Sequence, residues 1–506
     1  MKMADFLRKT SLILGFLVLF FLLKGIFFAL LLPVFQNPDE QVHYGTIQHW
    51  AEPEEKTWEI KEHKKGEYLI NTEDIRTSNL PEETRESAAI IGFDEIKFQN
   101  QNTQNFENQE TENSILENTW QRFVSVKPSM VSGTWSWYYL VSSWIEQGLS
   151  NTDIFTRMFA IRVFSVVLGI LVVLLAYLTF RKINFSNLES LLLASLVAFQ
   201  PMLTATAAQI NIDIALIFSF SLFIFTGVWI LKDKISWKNS SLLILSTLLG
   251  FFAKGPGIIL VASLIPLLGY ALWIRFGQKI REGIGSLNMP PKTLWISLVF
   301  AIVFTGTIFW QSIPASYISS ITHASAVSKF DSPLTSLAAY FDKTIDTDAF
   351  RWSAISYWGN FGWLDTRIGD AVFNSIWTLE IIGLIGVILY FLPKTFLNKL
   401  GMTEVKEFLP EKKYIVFLLL LSLALQFAIR FYDWRVFDAT TKILIGTPGR
   451  YFLPNIIAHF ALLATGLGFF CRSKAQFHWL LKTLLMLMVL LSSYTLFDII
   501  LPRYYL

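Results

Sequence analysis

Charge and cysteine are scarce in this sequence. Only 16% of its 506 residues are charged, against about 25% in an ordinary soluble chain, which argues against a soluble enzyme. The single cysteine, Cys471, closes no intrachain disulfide and supplies no cysteine cluster for zinc or iron–sulfur ligation. The chain also lacks an internal repeat of solenoid type and a convincing inverted pair of Gly/Pro-broken helices of the transporter kind. What is abundant is hydrocarbon: 53% of residues are hydrophobic, 45 of them Phe. Uncharged apolar runs of about 20 residues, enough to cross roughly 30 Å of lipid as helices, recur along the chain.

These features predict an all-α polytopic integral membrane protein with about eleven transmembrane helices and two long external loops. Lys2, Arg8 and Lys9 precede the first apolar run, 12–34. That run is too long for a secretory signal and ends without an A-x-A-like cleavage site, so it reads as a retained first helix. Further crossings are expected at 157–180, 188–208, 212–231, 240–253, 256–274, 294–313, 372–392, 413–430, 451–470 and 479–500, the short 240–253 segment being the weakest. Threading them from an inner N-terminus gathers Arg181/Lys182, Lys232/Lys234/Lys238, Arg275/Lys279/Arg281, the basic residues of 394–413 and Arg472/Lys474 on one side. An excess of Lys and Arg in short loops marks the cytoplasmic side, predicting a multi-pass plasma-membrane protein with a cytoplasmic N-terminus.

The chain then divides into an N-terminal tail and first helix (1–34), an external loop (35–156), helices two to seven (157–313), a second external loop (314–371) and the remaining helices (372–506). Residues 35–127 hold 9 Lys/Arg against 19 Asp/Glu, a net −10 in a chain whose total is +3. Within this loop, 38–51 reads as an interfacial helix. The Glu-, Asn- and Gln-rich stretch 53–119 shows no period and reads as mostly disordered.

Five constellations carry candidate chemistry. Asn37-Pro-Asp-Glu-Gln-Val-His43 emerges from the first helix. At 100° per residue Asp39, His43, Thr46, Ile47 and Trp50 share a face. Asn37 as N-cap with Glu40 at N3 imitates a capping box, so capping accounts for Glu40 as well as catalysis does, and for Asp39 less well. Asn211 and Asp213 lie in the short turn after the third helix, where turn and cap roles compete with function. Lys254 stands at a membrane boundary, a common place for a snorkelling lysine. Arg351-Trp352 and Ser356-Tyr-Trp-Gly-Asn-Phe-Gly-Trp-Leu-Asp-Thr-Arg367 interleave aromatics with Asp365 and Arg367. An interfacial aromatic belt explains Trp358 and Trp363 in part, but aromatic faces beside carboxylates and guanidinium groups also suit a sugar or a phosphate. Gly449-Arg-Tyr-Phe-Leu-Pro454 sets Arg450 and Tyr451 at the mouth of the tenth helix.

In this order, Pro38-Asp39-Glu40 with His43, Asn211-x-Asp213, Lys254-x-Pro256, Tyr357-Trp-Gly-Asn-Phe-Gly-Trp-Leu-Asp-Thr366 and Gly449-Arg-Tyr-Phe-Leu-Pro454 resemble the bacterial membrane proteins catalogued as domain of unknown function family 2142. The resemblance spans nearly the whole chain. That family is similar in turn to the GT-C membrane glycosyltransferases, which take polyprenyl-phosphate-linked sugars and keep acidic catalytic residues in the first external loop. The 53–119 stretch, and Ser132-Gly-Thr-Trp-Ser-Trp-Tyr-Tyr139 where a Pro-rich segment is usual, depart from the family pattern.

The resemblance implies transfer of a sugar from a polyprenyl-phosphate donor to a cell-envelope acceptor, with membrane lipid as surroundings and no nucleic acid as partner. On that reading Asp39 is the candidate base, with Glu40 beside it, and Arg450, with Arg367 or Lys254 as alternates, meets the leaving phosphate. His43, Trp358, Trp363, Asp365 and Tyr451 line the substrate. Asn211 and Asp213 orient a sugar hydroxyl or join Asp39 around a divalent cation; no sequence feature decides whether a metal is used. The rival is a transporter or flippase for a lipid-linked or amphiphilic substrate, favoured by the intramembrane Lys24. A third reading makes the acidic loop a binding surface for external cations or wall polymers.

Overall fold

The computed structural model describes residues 2–51, 80–97, 102–103, 109–116, 120, 122, 136–233, 235–283, 328–393, 395, 407–441 and 448–506. It is almost wholly helical, with one two-residue hairpin, Asn360–Phe361 against Thr366–Arg367. The first long segment between membrane helices contains α2 (Glu40–Ala51), α3 (Glu82–Ile90), α4 (Phe93–Ile96), α5 (Gln109–Leu116) and α6 (Trp137–Gly148), following α1 (Lys2–Leu31). Next come α7 (Ile154–Lys182), α8 (Asn187–Phe199), α9 (Pro201–Ala207), α10 (Asp213–Lys232), α11 (Trp237–Phe251) and α12 (Ile258–Gly283). Long helices Asp370–Phe391, Lys412–Thr440, Ile456–Phe469 and Lys474–Tyr494 complete the bundle.

Among the described residues eight helices are long and apolar enough to cross a membrane, or nine if the bent pair α8 and α9 counts as one. The protein is therefore an all-α polytopic membrane protein. Two expected crossings take a different form, and another falls outside the described residues. The third is broken by 63° between Phe199 and Pro201. Proline lacks the N–H that would continue the ladder, and Lys24 Nζ donates to the Ala198 carbonyl at 3.4 Å beside that break. The fifth, α11, has only 15 residues. The seventh, at 294–313, lies outside the described residues.

Contacts sort the helix ends into two levels. At the first, where α1 ends, Tyr504 OH donates to the Gln36 carbonyl at 3.4 Å and Tyr505 OH to that of Leu31 at 2.5 Å. At the second, Lys182 Nζ pairs with Asp233 at 2.6 Å, Asn184 with Glu411 at 3.1 Å and His478 with Glu189 at 2.8 Å. The described chain runs toward the second level along α12 to Gly283 and resumes at the first, where Ser328 Oγ donates to Asp438 Oδ1 at 2.8 Å. One close helix crossing pairs Gly386 with Gly466: a Cβ on Gly386 would lie 1.9 Å from the Gly466 carbonyl oxygen, so only glycine permits the approach.

The 53–119 stretch is corrected in part. Residues 52–79 lie outside the described residues, but α3 and α4 fold against the bundle, burying Leu80, Ala88, Phe93 and Ile96. Their charges are matched from elsewhere: Glu83 Oε1 lies 2.5 Å from Arg157 Nη2 and Glu83 Oε2 3.3 Å from Arg122 Nε, while Glu146 holds the other side of the Arg157 guanidinium. Composition misses this because the partner, Arg157, lies on a membrane helix some 74 residues away.

Candidate functional site

The first level gathers residues from four separated segments. The helix expected over 38–51 begins at Glu40. Before it the chain turns sharply, with Phe35 at φ 62° and Asp39 at φ 65°. A left-handed φ is costly for a residue bearing a Cβ, though Asp tolerates it better than most, and held strain of this kind concentrates at functional sites. Here it sends two adjacent carboxylates in opposite directions.

Glu40 turns inward. The capping box is not formed; instead Glu40 Oε1 and Oε2 receive Arg162 Nε at 2.9 Å and Nη2 at 2.7 Å, with further donors from Phe35 N (3.2 Å), Asn37 Nδ2 (3.3 Å) and Ile210 N (3.1 Å). Arg162 spends its remaining donors on the Ala29, Leu32 and Pro33 carbonyls. Glu40 thus ties the first loop, α7 and the turn before α10 into one knot. It is wholly buried.

Asp39 turns outward, its side chain 38% exposed. Its Oδ2 lies 3.7 Å from Arg450 Nη2. Arg450 comes from the 3-10 turn Gly449–Asn455, whose entry is fixed by the Gly449 N–H on Ser356 Oγ. Arg450 Nε lies 3.2 Å from Asp213 Oδ2, near enough for charge attraction, yet it is buried and out of line for a hydrogen bond. Lys254 Nζ reaches the other oxygen of Asp213 at 2.5 Å and sits 4.1 Å from the centre of the Tyr451 ring. Burial is the largest influence on the Lys254 ammonium and works against it, but the charge and hydrogen bond of Asp213 together with Tyr451 outweigh it and raise its pKa above the ordinary lysine value. Asn211 Oδ1 accepts from Asp213 N at 2.8 Å and Ile214 N at 3.3 Å, the capping role sequence allowed it.

His43 is the neutral member of the group. Its Nδ1 pairs with Tyr139 OH at 2.6 Å, and burial lowers its pKa to about 4, with Asp39 and Asp213 pulling up against Lys254 and Arg450 pulling down. The imidazole stays uncharged at neutral pH. Tyr139 itself, also packed on Trp50, escaped the sequence reading because its segment departs from the family pattern. Arg157 and Arg162 were missed too, although an arginine pair inside an apolar helix is a legible signal.

The aromatic segment divides away from this cluster. Trp358 packs on His459 and Phe460. Trp363 Nε1 donates to the Phe35 carbonyl at 3.1 Å, and Lys97 Nζ stands 3.9 Å from the centre of the Trp363 ring. Asp365 pairs with Arg503 at 3.2 Å, and Arg367 pairs with Asp370 at the surface at 3.3 Å. Gly362, at φ +58°, has room for nothing larger, since a Cβ would strike Tyr504 OH and Asp365. Trp363, and Asp365 through Arg503 on the Ile96 carbonyl, tie this segment to the first loop; the polar partners of Trp363, Asp365 and Arg367 lie outside the Asp39–Arg450–Asp213–Lys254 group.

The group sets two cations, Arg450 and Lys254, against two carboxylates, Asp39 and Asp213. Among the described residues no three His, Cys, Asp or Glu side chains are placed to hold a metal ion, and the two nearest carboxylates, Asp39 and Asp213, have Arg450 between them.

The family profile of predicted membrane proteins DUF2142 matches residues 21–458, and the chain belongs to that family. No curated protein matches it.

Proposed function

From that membership as premise, we propose that this membrane protein is a glycosyltransferase that moves a sugar from a polyprenyl-phosphate donor to a cell-envelope acceptor at the external face of the plasma membrane. One observation carries the reading: a part-exposed carboxylate, Asp39, faces Arg450, and Asp213 holds Arg450 and Lys254 together at the membrane boundary. The acceptor hydroxyl gives its proton to Asp39 as its oxygen bonds to the anomeric carbon. The bond from that carbon to the phosphate oxygen breaks, and the departing phosphate meets Arg450 and Lys254. In water-poor surroundings such contacts count for more than in bulk solvent.

The resemblance of the sequence motifs to those of GT-C enzymes points to the same assignment. The Lys- and Arg-rich loops at the second level support placing the first level outside and the N-terminus in the cytoplasm. The transport alternative loses its main support, because Lys24 is engaged with the carbonyl at the α8–α9 break and with the Phe199 ring, 5.2 Å away. The test is incubation of the purified protein with radiolabelled polyprenyl-phosphate sugars and envelope acceptor fractions. Release of polyprenyl phosphate is the expected result; translocation of intact donor without release overturns the enzyme reading.

A further inference from the structure

A second polar group lies deeper in the bundle and takes no part in the chemistry above. Tyr357 OH, His459 and Glu380 form a hydrogen-bonded chain, Tyr357 OH to His459 Nδ1 at 2.7 Å and His459 Nε2 to Glu380 Oε1 at 2.8 Å. With the Nε2 hydrogen donated to the carboxylate, Nδ1 is the acceptor for the tyrosine hydroxyl. Every donor in the chain therefore points toward Glu380. Its Oε2 accepts no hydrogen bond among the described residues. Glu380 lies ten residues into helix Asp370–Phe391, roughly 15 Å below its start at 1.5 Å per residue. A carboxylate at that depth with an unused oxygen is expensive and points to function.

Glu380 borders a cavity of about 320 Å³ between helices Asp370–Phe391 and Lys474–Tyr494. That volume falls in the range of small-molecule sites, roughly 300 to 1,000 Å³. The wall is apolar apart from Glu380, Ser375 and the hydroxyl and indole groups of Tyr494 and Trp358; it contains no Lys or Arg. Trp358, Phe460 and Tyr494 contribute aromatic faces. Beside the cavity the same helices expose Trp377, Ile381 and Leu384, an apolar surface of the kind that faces lipid in a membrane-spanning helix.

We propose that this cavity is a membrane-accessible binding site for an amphiphilic amine, a hydrocarbon body whose protonated nitrogen is held by Glu380 and the neighbouring aromatic rings. Three features favour an ammonium over other ligands. The free carboxylate oxygen needs a donor. Apart from His459, already bonded to the other oxygen, no basic side chain among the residues lining the cavity competes for the carboxylate. Aromatic faces attract cations, most strongly where water is excluded. An anionic amphiphile would meet only repulsion from Glu380, and a neutral alcohol would use the hydrogen bond without the charge. The site is independent of the glycosyltransferase reading, since none of its groups touches Asp39 or Arg450.

The test uses the full-length protein in phosphatidylcholine nanodiscs with tritiated dodecylamine, against empty nanodiscs. Saturable binding of one molecule per chain is expected, displaced by unlabelled dodecylamine far better than by dodecanol. Glu380→Gln keeps the shape and removes the charge, and should weaken binding about tenfold or more. Leu487→Trp narrows the lipid-facing mouth at an already exposed position and should weaken binding with normal folding. Non-saturable uptake, equal displacement by dodecanol, or unchanged binding in Glu380→Gln overturns the proposal. If Glu380→Gln fails to fold, undiminished binding in Leu487→Trp overturns it.

Discussion

Arg162 grips Glu40 through two parallel hydrogen bonds, at 2.9 and 2.7 Å, while Asp39, one residue earlier, faces Arg450 across 3.7 Å. The neighbours therefore have separate duties. Asp39→Asn should keep the fold and lose transfer by on the order of 10² to 10⁴, the usual scale for a missing general base. Glu40→Gln would survive if Glu40 were only a helix cap. Buried against Arg162, it should instead lower stability by roughly 3 to 5 kcal/mol, because it leaves a buried guanidinium without its counter-charge. Thermal unfolding and single-turnover assays on both variants separate the two effects. Near-wild-type transfer by Asp39→Asn would falsify the base assignment.

Arg450 reaches Asp39 and Asp213 with different nitrogens of one planar group. Lysine has a single charged atom and cannot span both. Arg450→Lys should therefore raise the KM for the lipid-linked donor about tenfold or more while the protein inserts and purifies normally. Unchanged donor affinity and turnover would reduce Arg450 to an interfacial anchor.

His43 supplies the pH dependence. Its folded-state pKa, about 4, is below the unfolded value of 6.5. Its contribution to stability is thus complete above pH 6.5 and lost as pH falls through 4, because the folded state resists taking up the proton. The contribution is on the order of 3 kcal/mol. Wild-type Tm should fall between pH 6.5 and 4 more steeply than that of His43→Gln. Parallel curves for the two proteins would show that His43 titrates as an ordinary exposed imidazole.

Composition alone predicts that the whole 54–118 stretch can be replaced by a short linker. The buried ion pairs of Glu83 with Arg157 and Arg122 divide that prediction. Replacing 54–78 should leave folding intact. Glu83→Ala should lower Tm by several degrees, since it exposes the charge imbalance of a buried arginine network. Equal Tm values for Glu83→Ala and wild type would remove the loop from the structural framework.

Orientation is tested with single cysteines at Ser332, near the first level, and Lys238, near the second, in a protein with Cys471 replaced. A membrane-impermeant thiol reagent applied to intact cells, with any outer membrane permeabilised, should label the first and spare the second. The reverse pattern would invert the topology and place the site in the cytoplasm.

The sequence by itself determined that the chain crosses a membrane many times, because the hydrophobic effect acts on runs of about 20 residues and reads composition directly. It also determined which polar motifs lie near the boundary, since Asp39, Asp213, Lys254 and Arg450 each border an apolar run. Tertiary structure alone decided which of those motifs meet. Hydrogen bonds and ion pairs act over a few ångströms between residues hundreds of positions apart, as with Asp39 and Arg450, and helical phase cannot predict such pairings. The same reach explains the other departures. Sequence leaves capping and function both open for Glu40, and only the fold sets Arg162 against it; only the fold, likewise, puts Trp363 Nε1 on the Phe35 carbonyl. Residues 80–97 looked disordered because the positive charge that neutralises Glu83 is carried by a different helix.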